Sequence, residues 1–436
     1  MRTRTAVASI VAGGLLLVAA AAAFYTVQFD KQAVAGQEQA AGPAVDPLVA
    51  AITAAQQRLE QVPGDYTTWA QLGSAYVERA RITADPTYYD KADGALQQSL
   101  TLHPDGNDTA LIGQGALANA RHDFAGAAAF GEQAVQLNPY SATAWGVLTD
   151  ARTQLGDYPG ATDALQRMLR LRPGIASFTR ASYDAELHGD LVNARSALEQ
   201  ALETAQGDSD EAYCRTYLGA LAFSTGDLDE AAAQYDAGLE ADPGEPTLLL
   251  GQARVLAARG KSDAAVENFQ SVVDERPLPA YFVEFGEYLE SLGRDAEAQQ
   301  QFALVGTVQT LFAASGVQDD LTTAQFAADH GDPAAAVAAG EAEYGRRQNI
   351  DSQDALAWAL HSAGRDAEAL PLAQQATGIG GQNALFLYHR GAIEAALGMT
   401  GQARTTLSTA LDTNPYFSPL HVPRAEELLA SLGGRR

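Results

Sequence analysis

ATAWGVLTDARTQLGDYPGATDALQRMLRLRP, residues 142–173, reads as two short helices joined by a tight turn. Ala161, Leu165 and Met168 are spaced four then three, which places them on one face of a helix and gives that helix a single stripe to bury. Ahead of them, Trp145 and Leu148 begin a second stripe, and Gly156 stands between the two. A glycine there lets the chain reverse without the steric penalty of a β-carbon. Pro139 and Pro173 bound the stretch 34 residues apart, and proline cannot continue a helix.

The same punctuation extends outward in both directions. A Gly followed by a small or polar residue recurs at 156, 189, 226, 260, 293, 331, 364 and 398, in steps of 33, 37, 34, 33, 38, 33 and 34 residues. Pro243 and Pro277 are again 34 apart. After the turn the buried stripe returns as Ala231, Tyr235 and Gly238, as Ala265, Phe269 and Val272, and as Ala403, Leu407 and Ala410. Before it stand Leu218, Gly219 and Ala222, or Phe282, Gly286 and Leu289. A fixed period of this length is the mark of a stacked repeat, each unit hiding its apolar seam against the next. The chain is expected to be all-α.

At residues 69–104 the sequence resembles the tetratricopeptide repeat family, whose pattern runs Trp, Leu, Gly, Tyr, then Ala, Phe, Ala and Pro. Here it reads Trp69, Leu72, Gly73 and Tyr76, and after an insertion Ala92, Leu96, Ser99 and Pro104. Some units depart from the pattern, with Gln114 for the Leu, Thr149 for the Gly, and no closing Pro in the units centred on Gly189, Gly331 and Gly364. The resemblance covers Pro47 to Phe417 and implies an α-solenoid of about ten helical hairpins, filling an array over residues 47–432. Pro47 to Gln61 reads as a lone helix capping the start, and Pro423 to Leu432, with Ala425, Leu428 and Leu429 on one stripe, as the closing helix. Arg81 to Tyr89 lengthens the first hairpin and reads as spacing.

The first 29 residues differ from all that follows. Arg2 and Arg4 precede an uncharged, mostly apolar run from Thr5 to Phe29, long enough to span a membrane and longer than the usual core of a secretory signal. It reads as an uncleaved signal-anchor, a transmembrane helix, with a cleaved signal at the Ala19 to Ala23 tract as the alternative. The basic flank stays in the cytoplasm, so the array is expected outside a bacterial cytoplasmic membrane, single-pass, or secreted if the segment is removed. Residues 30–46 read as a flexible linker.

With 54 Asp plus Glu against 28 Lys plus Arg, the formal net charge of -26 opposes binding to nucleic acid, which depends on cations meeting phosphates. Cys214 is the only cysteine, so neither an intramolecular disulfide nor a thiolate cluster can form. There is no phosphate loop, no His-Glu-x-x-His and no Gly-x-Ser-x-Gly. Gly113, Gly115 and Ala118 imitate a dinucleotide fingerprint but fall inside a helix, where it has no meaning. His122, His188 and His330 lie at or beside hairpin turns, about a repeat or more apart. No catalytic residue, metal ligand or cofactor site is expected, and the chain reads as a binding protein, not an enzyme.

What the resemblance implies about a partner concerns the first helices, which in the family line a concave groove. Its groove positions fall here on Asp150, Tyr183, Glu186, Tyr213, Phe223, Arg254, Glu287, Glu290, Asp351, Asp354, Trp358 and Tyr388. The pattern of Lys, Arg and Asn with which some members grip a C-terminal carboxylate is absent. An acidic, aromatic groove suits a basic or neutral protein segment, with Tyr183, Glu287, Glu290, Trp358 and Tyr388 as the chosen contacts. The expected role is a membrane-anchored extracytoplasmic scaffold for protein-protein interaction. The alternative is a glycan- or small-ligand-binding accessory protein of an envelope enzyme or transporter, stacking its ligand on Tyr183, Tyr213 and Trp358.

Overall fold

The structure is a computed structural model and describes residues 46–434. Among the described residues there are 22 helices and no strand. Helix α1 (Pro47–Gln61) precedes a run of hairpins. The first five are α2 (Tyr66–Thr83) with α3 (Thr87–Leu102), α4 (Asp108–Ala120) with α5 (Phe124–Leu137), α6 (Ala142–Leu155) with α7 (Tyr158–Leu171), α8 (Ile175–Leu187) with α9 (Leu191–Glu203), and α10 (Asp208–Ser224) with α11 (Leu228–Ala241). Five more follow: α12 (Pro246–Ala258) with α13 (Ser262–Glu275), α14 (Pro279–Ser291) with α15 (Asp295–Ala314), α16 (Asp320–His330) with α17 (Pro333–Arg346), α18 (Ile350–Ser362) with α19 (Asp366–Ala376), and α20 (Ala384–Ala396) with α21 (Thr400–Thr413). Helix α22 (His421–Ser431) packs on the last of them.

Local chemistry makes each turn. After α6, Gly156 takes φ +83°, its N–H bonds to the Thr153 carbonyl at 3.1 Å, and the Asp157 N–H reaches back to the Arg152 carbonyl at 2.9 Å. Asp157 then caps α7, its carboxylate accepting the Gly160 N–H at 3.1 Å. Asp123, Asp190 and Asp227 cap α5, α9 and α11 in the same way, at 3.0, 3.1 and 3.1 Å. Gly331 departs from this scheme: its φ is −126°, and the turn is completed by Asp332 as cap and Pro333 in the first helical turn.

The four-then-three stripes of the second helices are buried: Ala161, Leu165 and Met168; Ala231, Tyr235 and Gly238; Ala265, Phe269 and Val272. The Tyr235 ring fills the space left by two glycines, since a β-carbon on Gly219 or Gly251 would come within 2.5 or 2.3 Å of it. Missing side chains on first helices thus serve as sockets for large ones on second helices.

The stack does not run straight. It coils, and the second turn of the coil rests on the first. The Gln318 N–H bonds to the Arg121 carbonyl at 3.1 Å, and Arg121 Nε donates to the Ser315 carbonyl at 2.8 Å. Arg347 and Asn349 donate to Gln154, and the Ile350 N–H bonds to the Tyr158 hydroxyl at 2.9 Å. Farther along, the Gly381 N–H meets the Leu187 carbonyl at 2.9 Å, and Asn414 Nδ2 meets the Phe223 carbonyl at 3.0 Å. In each case the end of a hairpin's first helix, or the turn beyond it, touches the loop that follows the fifth hairpin on. Val317 and Phe312 join the apolar core built by α1 to α4.

No helix among the described residues is long and apolar enough to cross a membrane. The expected signal-anchor at residues 1–29 and nearly all of the linker lie outside the described residues.

Candidate functional site

The concave side of the coil holds a cavity of about 590 Å³, walled by both turns. Helix α8 contributes Tyr183, Glu186 and Leu187, and α10 presents Ala212, Tyr213, Thr216, Tyr217, Ala220 and Phe223 along one face. Arg254 of α12 and Tyr281 of α14 carry the wall forward. From the second turn come Ile350 and Asp351 at the start of α18, Gly381 and Gln382 from the loop after α19, and Phe417. Arg81 and Ile82 also reach it, because the insertion in the first hairpin extends α2 to Thr83. The concave groove that the resemblance implies is thus walled across by the loops that join the two turns.

The lining arginines are tied down. Arg254 forms a fork with Glu284 of α14, both bonds 2.9 Å, and the pair is almost wholly buried. Arg276 meets Glu245 at 3.1 Å, and Arg81 meets Glu78 at 2.7 Å. Just outside the wall Arg180 of α8 makes a second buried fork, to Asp150 of α6 at 2.7 and 2.6 Å. Three of the lining carboxylates, Glu186, Asp242 and Asp351, have no such partner among the described residues. Among the described residues Glu186 accepts only from the Ser182 hydroxyl, at 3.0 Å, and burial pushes its carboxyl up to about 7. Asp351 is 2% exposed, its Oδ2 sits 3.4 Å from Asn349 Nδ2, and its Oδ1 has no hydrogen-bond partner among the described residues. Burial pushes Asp351 up to about 7 as well, with Arg347 opposing the rise and Asp354 and Glu343 adding to it.

Of the residues chosen from sequence, Tyr183 reaches the cavity and is half-buried. Burial, and then Asp351, hold its hydroxyl well above the usual range. Glu287, Trp358 and Tyr388 are buried in a different place, toward the C-terminal end, at 4%, 6% and 4% exposure. Trp358 lies flat on His389, ring centroids 4.1 Å apart, and its Nε1 donates to Asp329 at 3.2 Å. Tyr388 stacks on His421 at 5.0 Å. Glu287 pairs with His330 at 3.2 Å, and half-exposed Glu290 approaches the other nitrogen of that ring at 3.5 Å. His389 in turn meets Asp354 at 2.9 Å, and His421 meets Asp329 at 3.3 Å. Burial would raise Asp329, but His421, His389 and His330 around it hold it at about 2. These groups pair with one another across neighbouring units, while His389 Nε2 and His421 Nδ1 have no hydrogen-bond partner among the described residues. Among the described residues no three His, Cys, Asp or Glu are placed to hold a metal ion. Burial pushes the Cys214 thiol up to about 12, which leaves it inert as a nucleophile.

The family model for the tetratricopeptide repeat matches residues 182–246, which run from within α8 to the first residue of α12 and include the richest part of the cavity wall. Over that stretch the chain carries the tetratricopeptide repeat. Among solved structures the tetratricopeptide array is similar to a thermophilic tetratricopeptide-repeat protein of Thermus thermophilus, at 23% identity over 44% of this chain and 98% of that one, with a TM-score of 0.39. It is also similar to the human IFIT1 dimer with PPP-AAAA, at 16% identity over 83% and 86% of the two chains and a TM-score of 0.45. Yeast Tom70 follows at 13% identity, 88% and 85% coverage, and a TM-score of 0.32. No curated protein matches the chain. Sequence reasoning about the tetratricopeptide groove passed over Arg81, Ile82 and the loop at Gly380 and Gly381. The signals were there, in the insertion that lengthens α2 and in the run Gly378-Ile379-Gly380-Gly381, which breaks the repeat pattern.

Proposed function

We propose that this tetratricopeptide-repeat protein is a membrane-anchored scaffold outside a bacterial cytoplasmic membrane, binding a short segment of a partner polypeptide in the cavity between the turns of its coil. The repeat fold supports a protein-interaction role, and the cavity is the observation that gives it a place. A volume of about 590 Å³ lies within the range of preformed ligand sites. Its wall mixes tyrosines, aliphatic faces and a few buried polar groups, the composition that anchors a peptide by stacking and fixes it by hydrogen bonds. The anchor rests on Arg2 and Arg4 ahead of the uncharged run from Thr5 to Phe29. Binding, not catalysis, is the role proposed.

The test is retention of a random pentapeptide pool by the fragment starting at Asp46, read by mass spectrometry, beside an Ala220→Trp variant that fills the cavity from α10. Wild-type protein is expected to retain a saturable subset and the variant to lose it. Equal retention by both would remove the cavity as the site. Protease protection in intact cells tests the location, with the array expected to be cleaved from outside.

The walling of the groove by the second turn also favours a second reading, a glycan or small ligand held against Tyr183, Tyr213 and Tyr217. Thermal-shift screening with wall fragments and metabolites separates the two, because a ligand that binds only the folded state raises its melting temperature.

A further inference from the structure

Residues 186 and 351 come from different turns of the coil, yet both line one cavity. They are brought there by the contacts between turns, in particular the Gly381 N–H on the Leu187 carbonyl and the Ile350 N–H on the Tyr158 hydroxyl. Asp351 is almost fully buried with an unpartnered Oδ1, and no Lys, Arg or His nitrogen among the described residues lies within ion-pair distance of either carboxylate. By contrast Arg81, Arg254 and Arg276 of the same wall are each matched by a carboxylate. The cavity wall therefore carries carboxylates without a counter-ion at Asp351, Glu186 and Asp242, of which Asp351 and Glu186 both act on Tyr183, and compensated charge elsewhere. A buried carboxylate without a counter-ion is costly, and a cation brought in by a ligand removes that cost.

We infer that Asp351 and Glu186, with the Tyr183 ring beside them, form a subsite for an ammonium or guanidinium group carried by the bound segment. The subsite rests on the cavity reading given above and adds to it the chemistry of the occupant. A Lys or Arg side chain, or a free amine, places its N–H donors on the two carboxylates and its charge near the face of Tyr183. The groups that face Asp351 are Arg347 and Glu343 at the end of α17, Asp354 on its own helix, Tyr158 of α7, and Tyr183 of α8, whose hydroxyl also feels Glu186. Arg347 is engaged by Glu343 and Gln154 and so is not available as the missing counter-ion. Both carboxyls sit at about 7 without ligand, and a cation selects their ionised forms, so binding strengthens as pH rises from 6 to 8.

The experiment uses the full chain purified in a mild detergent, the pentapeptide pools carrying a fixed central Arg, Lys or Gln, and L-argininamide and spermidine as free cations. Affinities are measured by calorimetry at pH 6 and pH 8. At pH 8 the Arg and Lys pools are expected to bind at least tenfold tighter than the Gln pool, and to lose about tenfold at pH 6. Asp351→Asn and Glu186→Gln are each expected to lose that tenfold preference and its pH dependence. Asp351→Asn is also expected to melt no lower than wild type, because it relieves a buried charge. Equal binding of the three pools, abolished alike by Ala220→Trp, overturns the subsite while the cavity reading stands. Binding of the free cations alone, lost in Asp351→Asn, upholds the subsite and assigns it to small amines while removing the peptide. No binding of any cation at pH 8, or binding indifferent to both carboxylate variants, overturns it.

Discussion

Gly189 and Gly293 occupy the same place in their hairpins, with φ of +76° and +71°. They differ in what surrounds them. A β-carbon on Gly189 would stand 2.5 Å from the Gly380 carbonyl oxygen on the next turn of the coil, whereas one on Gly293 would meet nothing within 4 Å. Gly293→Ala is therefore expected to cost only the left-handed backbone penalty, about 1 kcal/mol. Gly189→Ala adds the displacement of a neighbouring backbone and is expected to cost about 2 to 3 kcal/mol in all. Denaturant titration of the two variants checks the difference, and equal losses would show that this contact between turns carries no weight. The glycine at each turn was legible because a reversal of the chain needs it. Its second duty at 189 was not, since the group it accommodates is a backbone carbonyl 191 residues away. Any residue type can supply such a carbonyl.

Helices of the two kinds in each hairpin differ in how openly they declare their contacts. The second helices bury aliphatic and aromatic stripes, and their four-then-three spacing survives even where Gly or Ser replaces the expected residue. First helices are joined partly by buried charge: Asp150 of α6 to Arg180 of α8, and Arg254 of α12 to Glu284 of α14. In a sequence, charges on a helix face look alike whether they meet water, a ligand or each other. That is why Asp150 and Arg254 read as groove positions although each is spent on a neighbouring helix. Glu284→Ala is expected to destabilise the protein by about 3 to 5 kcal/mol, because it strands the Arg254 guanidinium in an apolar setting. Replacing both residues by Met is expected to recover most of that loss. A double-mutant cycle in chemical denaturation measures the coupling. Trp358 and Tyr388 follow the same logic with rings in place of charges, since aromatic residues suit a peptide groove and a seam between units equally well.

Taken whole, the molecule joins two kinds of order, contacts between consecutive units and contacts between turns of the coil. An uncoiled stack of ten hairpins, each advancing about 10 Å, would be about 100 Å long. A coil resting on itself is expected to approach the compact limit for a chain of this size, a radius of gyration of about 21 to 24 Å, which solution scattering of the fragment starting at Asp46 measures. Its thermal unfolding is expected to be one transition, where an open array melts unit by unit. An elongated particle, or separate melting of the two halves, would contradict the contacts between turns. The repeat, its period and the all-helical class were legible in the sequence because every unit restates them. Coiling was not, because its decisive bonds are Gln318 N–H to Arg121 carbonyl and Gly381 N–H to Leu187 carbonyl. They are made by main-chain atoms that no periodic pattern records.

Solenoid genes ordinarily tolerate gain or loss of a whole module, since each copy needs only the copy beside it. Here the loops that bear on Arg121, Gln154, Leu187 and Phe223 all arrive from the fifth hairpin on. Excising one 34-residue module between them would advance every later loop by one position and set Asp351 opposite a different helix from the one that carries Glu186. The number of copies in this lineage is thereby pinned by geometry, and change is steered toward substitutions inside modules instead of duplication of them.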